Sequence, residues 1–311
     1  MNFVRDAFFN RIYELIKQGE DIVVITSDLG APSLDNLRKY FPERYVSVGI
    51  AEQNLLTISA GLSLSGKKVI AYGLNPFPVT RAFDQMRTLM GELKIPFTLC
   101  GLNAGLCSAE SGYTHMPVED MGMVRMLPGI KIINPSDETI SRMTADISVK
   151  CSIPIYVRFD KTIRGTIYNE HEIDFSKGFH SYKDNTENLF TIVTQGYYVQ
   201  ELRKLIDDYN KKGVSANLID LFSLPLDEKK LADKLKNSMN IITVEENVLA
   251  CGIGSMILEV LSDYKIMVPV KRLGLNVKNG YYNVFTDRTY IGKNQRIDFN
   301  SVKAVADELI G

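Results

Sequence analysis

The chain has 311 residues, enough for two domains of ordinary size. Its 36 Lys and Arg against 37 Asp and Glu give no basic field for nucleic acid or an anionic membrane, and no apolar run reaches the ~18 residues of a membrane span. A hydrophobic content of 45% with 23% charged residues belongs to a soluble globular protein. The early charges at the N-terminus interrupt any signal-peptide core, so the expected compartment is the cytoplasm. Cys100, Cys107, Cys151 and Cys251 have no paired spacing and His is scarce, which argues against a disulfide framework or a structural zinc site.

In chain order, apolar residues at helical spacing (Phe3, Ala7, Phe8, Ile12, Leu15, Ile16) predict an opening helix that ends near Gly19. Ile22 to Thr26 reads as a buried strand, Asp28 to Ser33 as a loop and Leu34 to Phe41 as a helix. Tyr45 to Ile50 reads as a second buried strand, running into a helix from Glu52 past Leu62. Strands at Lys68–Tyr72, Pro96–Gly101, Ile130–Asn134 and Ile153–Arg158 alternate with helices at Thr80–Leu93 and after Ser136. Strands alternating with helices predict a parallel sheet covered on both faces.

From Gly165 to about Asn188 the chain turns polar, with a turn at Asp184 to Asn188. A second α/β unit follows. Its strands are expected at Leu189–Thr194, Ala216–Leu221, Ile241–Glu246 and Val268–Gly274. Its helices are expected at Tyr197–Lys211, Asp227–Leu235, from Cys251 to about Ser262, and Val302–Ile310. Gly252 and Gly254 imitate a phosphate loop only in part, since no third glycine or lysine accompanies them.

Glu52 stands out because it falls where an apolar strand meets an apolar helix. An ionised carboxylate there is costly without a partner. It either complements the helix dipole or is kept for chemistry.

Gly49-Ile-Ala-Glu-Gln around Glu52 resembles the pyrimidine-binding domain of the transketolase group of thiamine-diphosphate enzymes. Further matching segments follow in that family's order: Ala60-Gly-Leu, Arg81-Ala-Phe-Asp-Gln, Gly112-Tyr-Thr-His and the run from Pro128 to Glu138. The second half resembles the transketolase C-terminal domain in Ile219 to Asp227 and in Val244-Glu-Glu-Asn, a domain that in the family mainly supports dimerisation. The fold class implied is α/β in two domains: a parallel-sheet pyrimidine-binding domain over 1–165, a linker over 166–188 and a transketolase C-terminal-like domain over 189–311.

The resemblance also implies roles. Thiamine diphosphate carries the chemistry, and the protein binds, orients and tunes it. Glu52 matches the acid that shares a proton with the cofactor's aminopyrimidine ring; a carboxyl group in an apolar pocket suits that task. The ring also needs an aromatic wall. Phe77 is the candidate, with Val79 possible in another register and Tyr72 and Phe83 as fallbacks. His115 matches the histidine that relatives place over the reacting carbon. Ser33, Arg81, Asn103, Ser111, His115 and Arg158 are substrate-binding candidates. Ser111 replaces the family's Asp and Asn103 a His, so sugar-phosphate recognition is expected to be only partly kept, and a nucleotide-linked or unphosphorylated sugar is possible.

The family's Gly-Asp-Gly…Asn segment, which holds Mg²⁺ and the diphosphate, has no match in this sequence. No metal is therefore expected on this chain. The reading is the C-terminal subunit of a split transketolase, joined to an N-terminal subunit that carries Mg²⁺. Two copies of each chain would form a heterotetramer. The expected reaction transfers a two-carbon ketol unit from a ketose to an aldehyde sugar. A deoxyxylulose-phosphate-synthase-like enzyme, a 2-oxoacid dehydrogenase β subunit and a non-catalytic partner subunit are the rival readings.

Overall fold

The computed structural model describes residues 2–150, 152–183, 185–278, 280–281 and 284–310. Cys151, and Asp184 of the expected boundary turn, lie outside the described residues. In the first half the strands are β1 (Ile22–Thr26), β2 (Tyr45–Ser47), β3 (Lys68–Leu74), β4 (Thr98–Leu102), β5 (Lys131–Ile133) and β6 (Ile155–Phe159). The second half contains β7 (His180–Ser181), β8 (Phe190–Thr194), β9 (Ala216–Asp220), β10 (Ser223–Leu224), β11 (Ile241–Val248) and β12 (Val270–Leu275). They form a seven-stranded sheet in the order β10-β5-β6-β4-β3-β1-β2 and a five-stranded sheet in the order β12-β11-β8-β9-β7. Pairing is parallel except at β10, which runs antiparallel to β5, and β7, which runs antiparallel to β9. This is the two-domain α/β architecture expected from the alternation of elements.

The interior strands explain themselves. β1, β4, β6, β8 and β9 are buried at every residue, as apolar strands covered on both faces must be. The helix over Glu138–Lys150 starts where Asp137 accepts the Ile140 N–H at 2.8 Å. The other oxygen of Asp137 takes the N–H groups of Ile167 and Tyr168, which fixes the chain as it leaves the first domain.

Three elements differ from the sequence reading. β2 is not a buried strand but a three-residue edge strand, with Val46 37% and Ile50 74% exposed. The expected helix over Thr80–Leu93 is broken into turns at Phe77–Thr80 and Phe83–Gln85 and a π-helix over Met86–Glu92. The segment 166–188 contributes β7 to the second sheet, with His180 opposite Asp220.

The two domains share one apolar cluster, in which Leu127, Ile130 and Ile132 meet Leu224, Leu231, Met256 and Ile257. Each such side chain stabilises by about 1.5–3 kcal/mol when fully buried. Polar contacts across the seam set register more than strength. Asn247 Nδ2 donates to Asp120 Oδ1 at 3.1 Å, and Glu246 accepts the Leu106 N–H at 3.1 Å. Arg288 pairs with both Asp160 and Glu246.

Asp220 accepts hydroxyls from Ser136 and, at 3.1 Å, Tyr168, while its Oδ1 has no partner among the described residues. Burial pushes its carboxyl up to about 7. Because the folded value is raised, the native chain holds this proton where the unfolded chain, titrating near 4, releases it. Its stabilising contribution is full below about pH 4 and is lost as pH rises through about 7. Asp220→Asn keeps the two hydroxyl bonds and should remove this slope, at most about 1.4 kcal/mol per pH unit. Thermal midpoints of both proteins across pH 4–8 check it; identical pH profiles would contradict it.

Candidate active site

The helix over Glu52–Leu64 begins at the edge of the first sheet, next to β2. Glu52 is its first residue and is 4% exposed. Its surroundings are not purely apolar: Oε2 accepts Arg81 Nη1 at 2.7 Å, and its other oxygen makes no hydrogen bond among the described residues. The Arg81 guanidinium also lies over the ring of Phe77, 4.6 Å from the centroid. Phe77 in turn meets His115 edge to face, with ring centroids 5.4 Å apart. His115 Nδ1 is 3.0 Å from Thr114 Oγ1, so its tautomer follows the direction of that bond. Phe77 and Arg81 line one side of an open groove of about 540 Å³, with Tyr113, Thr114, Glu119 and Tyr281 also in its lining.

Glu52, Phe77, Arg81 and His115 are therefore brought together by the fold. The other candidates lie elsewhere. Tyr72 is fully buried in the core of the first domain, against Phe9 at 4.8 Å. Phe83 packs on the apolar cluster, as does Val79, which is fully buried. Neither Tyr72 nor Phe83 lines the groove. Ser33 donates to Asp6 at 2.7 Å. Ser111 is exposed on the loop that carries His115. Asn103 is buried at the end of β4, with Cys107 Sγ 3.8 Å from its Oδ1.

Arg158 is not available as a free cation. Its guanidinium grips Asp120 through Nε at 2.7 Å and Nη2 at 2.9 Å, and both side chains are buried. Tyr156 and Asn247 donate to the same carboxylate at 2.7 and 3.1 Å. The pair is satisfied and ties β6 to the second domain.

The glycine-rich segment at Gly252 and Gly254 also has an internal partner. Glu245 accepts the N–H groups of Ile253 and Gly254, both at 2.9 Å, and so occupies the helix N-terminus that a phosphate would need. A Cβ at Gly252 would collide with that carboxylate. Cys100 and Cys107 are buried and Cys251 is exposed, all as free thiols. Among the described residues there is no group of three or more His, Cys, Asp or Glu that could hold a metal, and no helix long and apolar enough to cross a membrane.

Sequence reasoning missed Tyr113, Glu119 and Tyr281. Tyr113 and Glu119 flank His115 in the same loop. Tyr281 comes from the second domain and carries no local signal.

A buried carboxylate on a helix start, an aromatic reached through Arg81 and a histidine against that aromatic thus lie together on the first of two α/β domains. Residues 3–164 match the family Transketolase, pyrimidine binding domain, and residues 182–286 match Transketolase, C-terminal domain. The chain belongs to the transketolase family. It is 31% identical over 278 residues to an apulose-4-phosphate transketolase subunit of Phocaeicola vulgatus, a match covering 88% of each chain. A putative transketolase C-terminal section from Methanocaldococcus jannaschii is 29% identical over 276 residues, covering 88% of this chain and 86% of that one. Among solved structures, a split gene transketolase described as an inactive beta4 tetramer superposes with a TM-score of 0.85 at 26% identity, over 99% of this chain and 98% of that one.

Proposed function

We propose that this chain is the C-terminal subunit of a two-subunit, thiamine-diphosphate-dependent transketolase of the cytoplasm, which moves a two-carbon ketol unit from a ketose to an aldehyde sugar. One observation carries the reading. The Glu52–Phe77 pair holds a flat, N–H-bearing group, the Arg81 guanidinium, by a carboxylate contact and an aromatic face. An aminopyrimidine is a group of that kind, so the residues fit it. Thiamine diphosphate, when bound, supplies the carbanion-stabilising chemistry.

Within this assignment Glu52 binds the ring nitrogen and holds a proton there. Phe77 orients the ring. His115, edge-on to Phe77, is placed to hold or move a proton at the sugar carbonyl or hydroxyls. Ser111 and Arg81 are the nearest candidates for further substrate contact. Asn103 and Ser33 are weaker ones, and Arg158 acts by positioning Asp120. The diphosphate and Mg²⁺ fall to the partner subunit, in a heterotetramer of two plus two chains. Similarity over 88% of each chain to a protein that is itself named as one subunit of a transketolase supports this division. So do apolar side chains left in solvent at the two ends of the Glu52–Leu64 helix: Ile50 and Leu64 are each 74% exposed.

The test is to co-express the chain with the N-terminal-type transketolase subunit of its own genome and supply an aldose acceptor with a ketose donor or, separately, with pyruvate. The expected result is an acceptor lengthened by two carbons, with a shortened aldose released and no CO₂. Release of CO₂ from pyruvate with acetyl transfer would move the assignment to a synthase-like condensation. Neither product, with the cofactor bound, would overturn it.

A further inference from the structure

Val244-Glu-Glu-Asn lies in the domain that in the family mainly supports dimerisation, yet its side chains point across the seam. β11 outruns its neighbours here. Its ladder with β8 stops where Val244 faces Thr194, and its register with β12 shifts between Val244 and Val248. Among the described residues, 245–247 pair with neither strand. An irregularity of this kind re-aims side chains. Glu245 turns back onto the N-terminus of its own domain's helix at Ile253 and Gly254. Glu246 and Asn247 turn toward the first domain.

These two neighbours meet the two ends of the loop that carries His115. At its start, Glu246 Oε2 accepts the Leu106 N–H at 3.1 Å. Gly105 makes room for that carboxylate: its φ is +58°, and a Cβ there would stand 2.5 Å from the same oxygen. At its end, Asn247 Nδ2 donates to the Val118 carbonyl and to Asp120 Oδ1, both at 3.1 Å. The Val248 N–H reaches the same Val118 carbonyl at 2.9 Å. Gln195 Nε2, 3.4 Å from Asn247 Oδ1, fixes which way the amide faces. Both side chains are buried, so water does not compete for these bonds. His115 stands three residues before Val118, with its ring against Phe77. A shift at Val118 therefore carries the imidazole with it, and a displacement of about 1 Å can cost a catalytic group about 10²-fold.

We propose that Glu246 and Asn247 are positioning residues: from the second domain they clamp both ends of the His115 loop and set the place of its imidazole beside Phe77. The role of His115 in turnover rests on the ketol-transfer reading, whereas the clamp can be read without it. The chain has three histidines, His115, His171 and His180, so the ring signals of the full chain labelled with ¹³C-histidine are assigned by single substitutions. Asn247→Ala removes both side-chain bonds to the loop. It leaves Asp120 its bonds to Arg158, Tyr156 and Asn75, and Val118 its bond to the Val248 N–H, so the fold should survive. The His115 signal should shift or broaden, while those of His171 and His180, on the segment between the domains, stay in place. In the assembled enzyme kcat should fall by about tenfold or more, with thiamine-diphosphate affinity changed less than about twofold. In a His115→Ala background the same substitution should cost less than about twofold, because the two residues act as a unit. Asn247→Ser is measured alongside, with the same expectations, should the Ala variant fail to fold. An unmoved His115 signal, equal disturbance of all three histidines, a loss confined to cofactor affinity, or additive losses in the double variant would overturn the clamp. A displaced His115 signal in an assembled enzyme that transfers no ketol unit would leave the clamp standing and sink the reaction.

Discussion

Glu52→Gln should lower turnover of the assembled enzyme by about 10²–10⁴-fold while leaving the fold intact, because a positioned general acid or base contributes that much. The substitution is nearly isosteric at a buried helix start. Its amide oxygen can still accept the N–H of Arg81, whose side chain is 49% exposed and stays hydrated. The loss of a half-exposed ion pair costs at most about 1 kcal/mol. The thermal midpoint should therefore stay near that of the wild type, which separates a chemical role from a structural one. Glu52→Asp keeps the charge but withdraws it by one methylene from the Phe77–Arg81 position, and it should also lose activity. Steady-state rates of wild type and both variants check this. A Glu52→Gln enzyme turning over at a near-normal rate would contradict the assignment.

Much of this architecture is legible in the sequence, for a physical reason. A parallel strand buried on both faces needs a largely apolar run, so β1, β4 and β8 announce themselves. The edge strand β2 misleads by the same logic. Val46, Val48 and Ile50 read as core, yet Ile50 is largely exposed, and an apolar surface awaiting a partner has the same local pattern as an interior. The break between Phe77–Thr80 and Phe83–Gln85 and the π-helix over Met86–Glu92 leave no mark on the apolar periodicity from which one helix is expected. β10 is two residues long and joins a sheet formed by the other domain, so nothing near it in sequence could place it.

The site divides in the same way. Glu52 and His115 belong to short contiguous motifs, and the structure brings them to either side of Phe77. Arg158 reads as a free cation at a strand end because its partner, Asp120, lies on a distant helix and Asn247 on another domain. Tyr281 reaches the groove through tertiary structure alone. Local sequence can nominate chemical groups, but whether a charge is free or already paired is decided by long-range contacts.

The central claim is that this polypeptide holds only the pyrimidine half of a thiamine-diphosphate site. Glu52 and His115 meet Arg81 and Phe77, and the last two line the groove. The family's Gly-Asp-Gly…Asn segment, which holds Mg²⁺ and the diphosphate, has no match in this sequence. The most direct measurement is calorimetric titration of thiamine diphosphate with Mg²⁺ into the isolated chain, and then into the chain assembled with its N-terminal-type subunit. The chain alone should show no saturable binding, whatever its state of self-association. Once the partner is present, binding should be tight and Mg²⁺-dependent, at one site per pair of unlike chains. Tight, Mg²⁺-dependent binding and full ketol transfer by this polypeptide alone would contradict the claim.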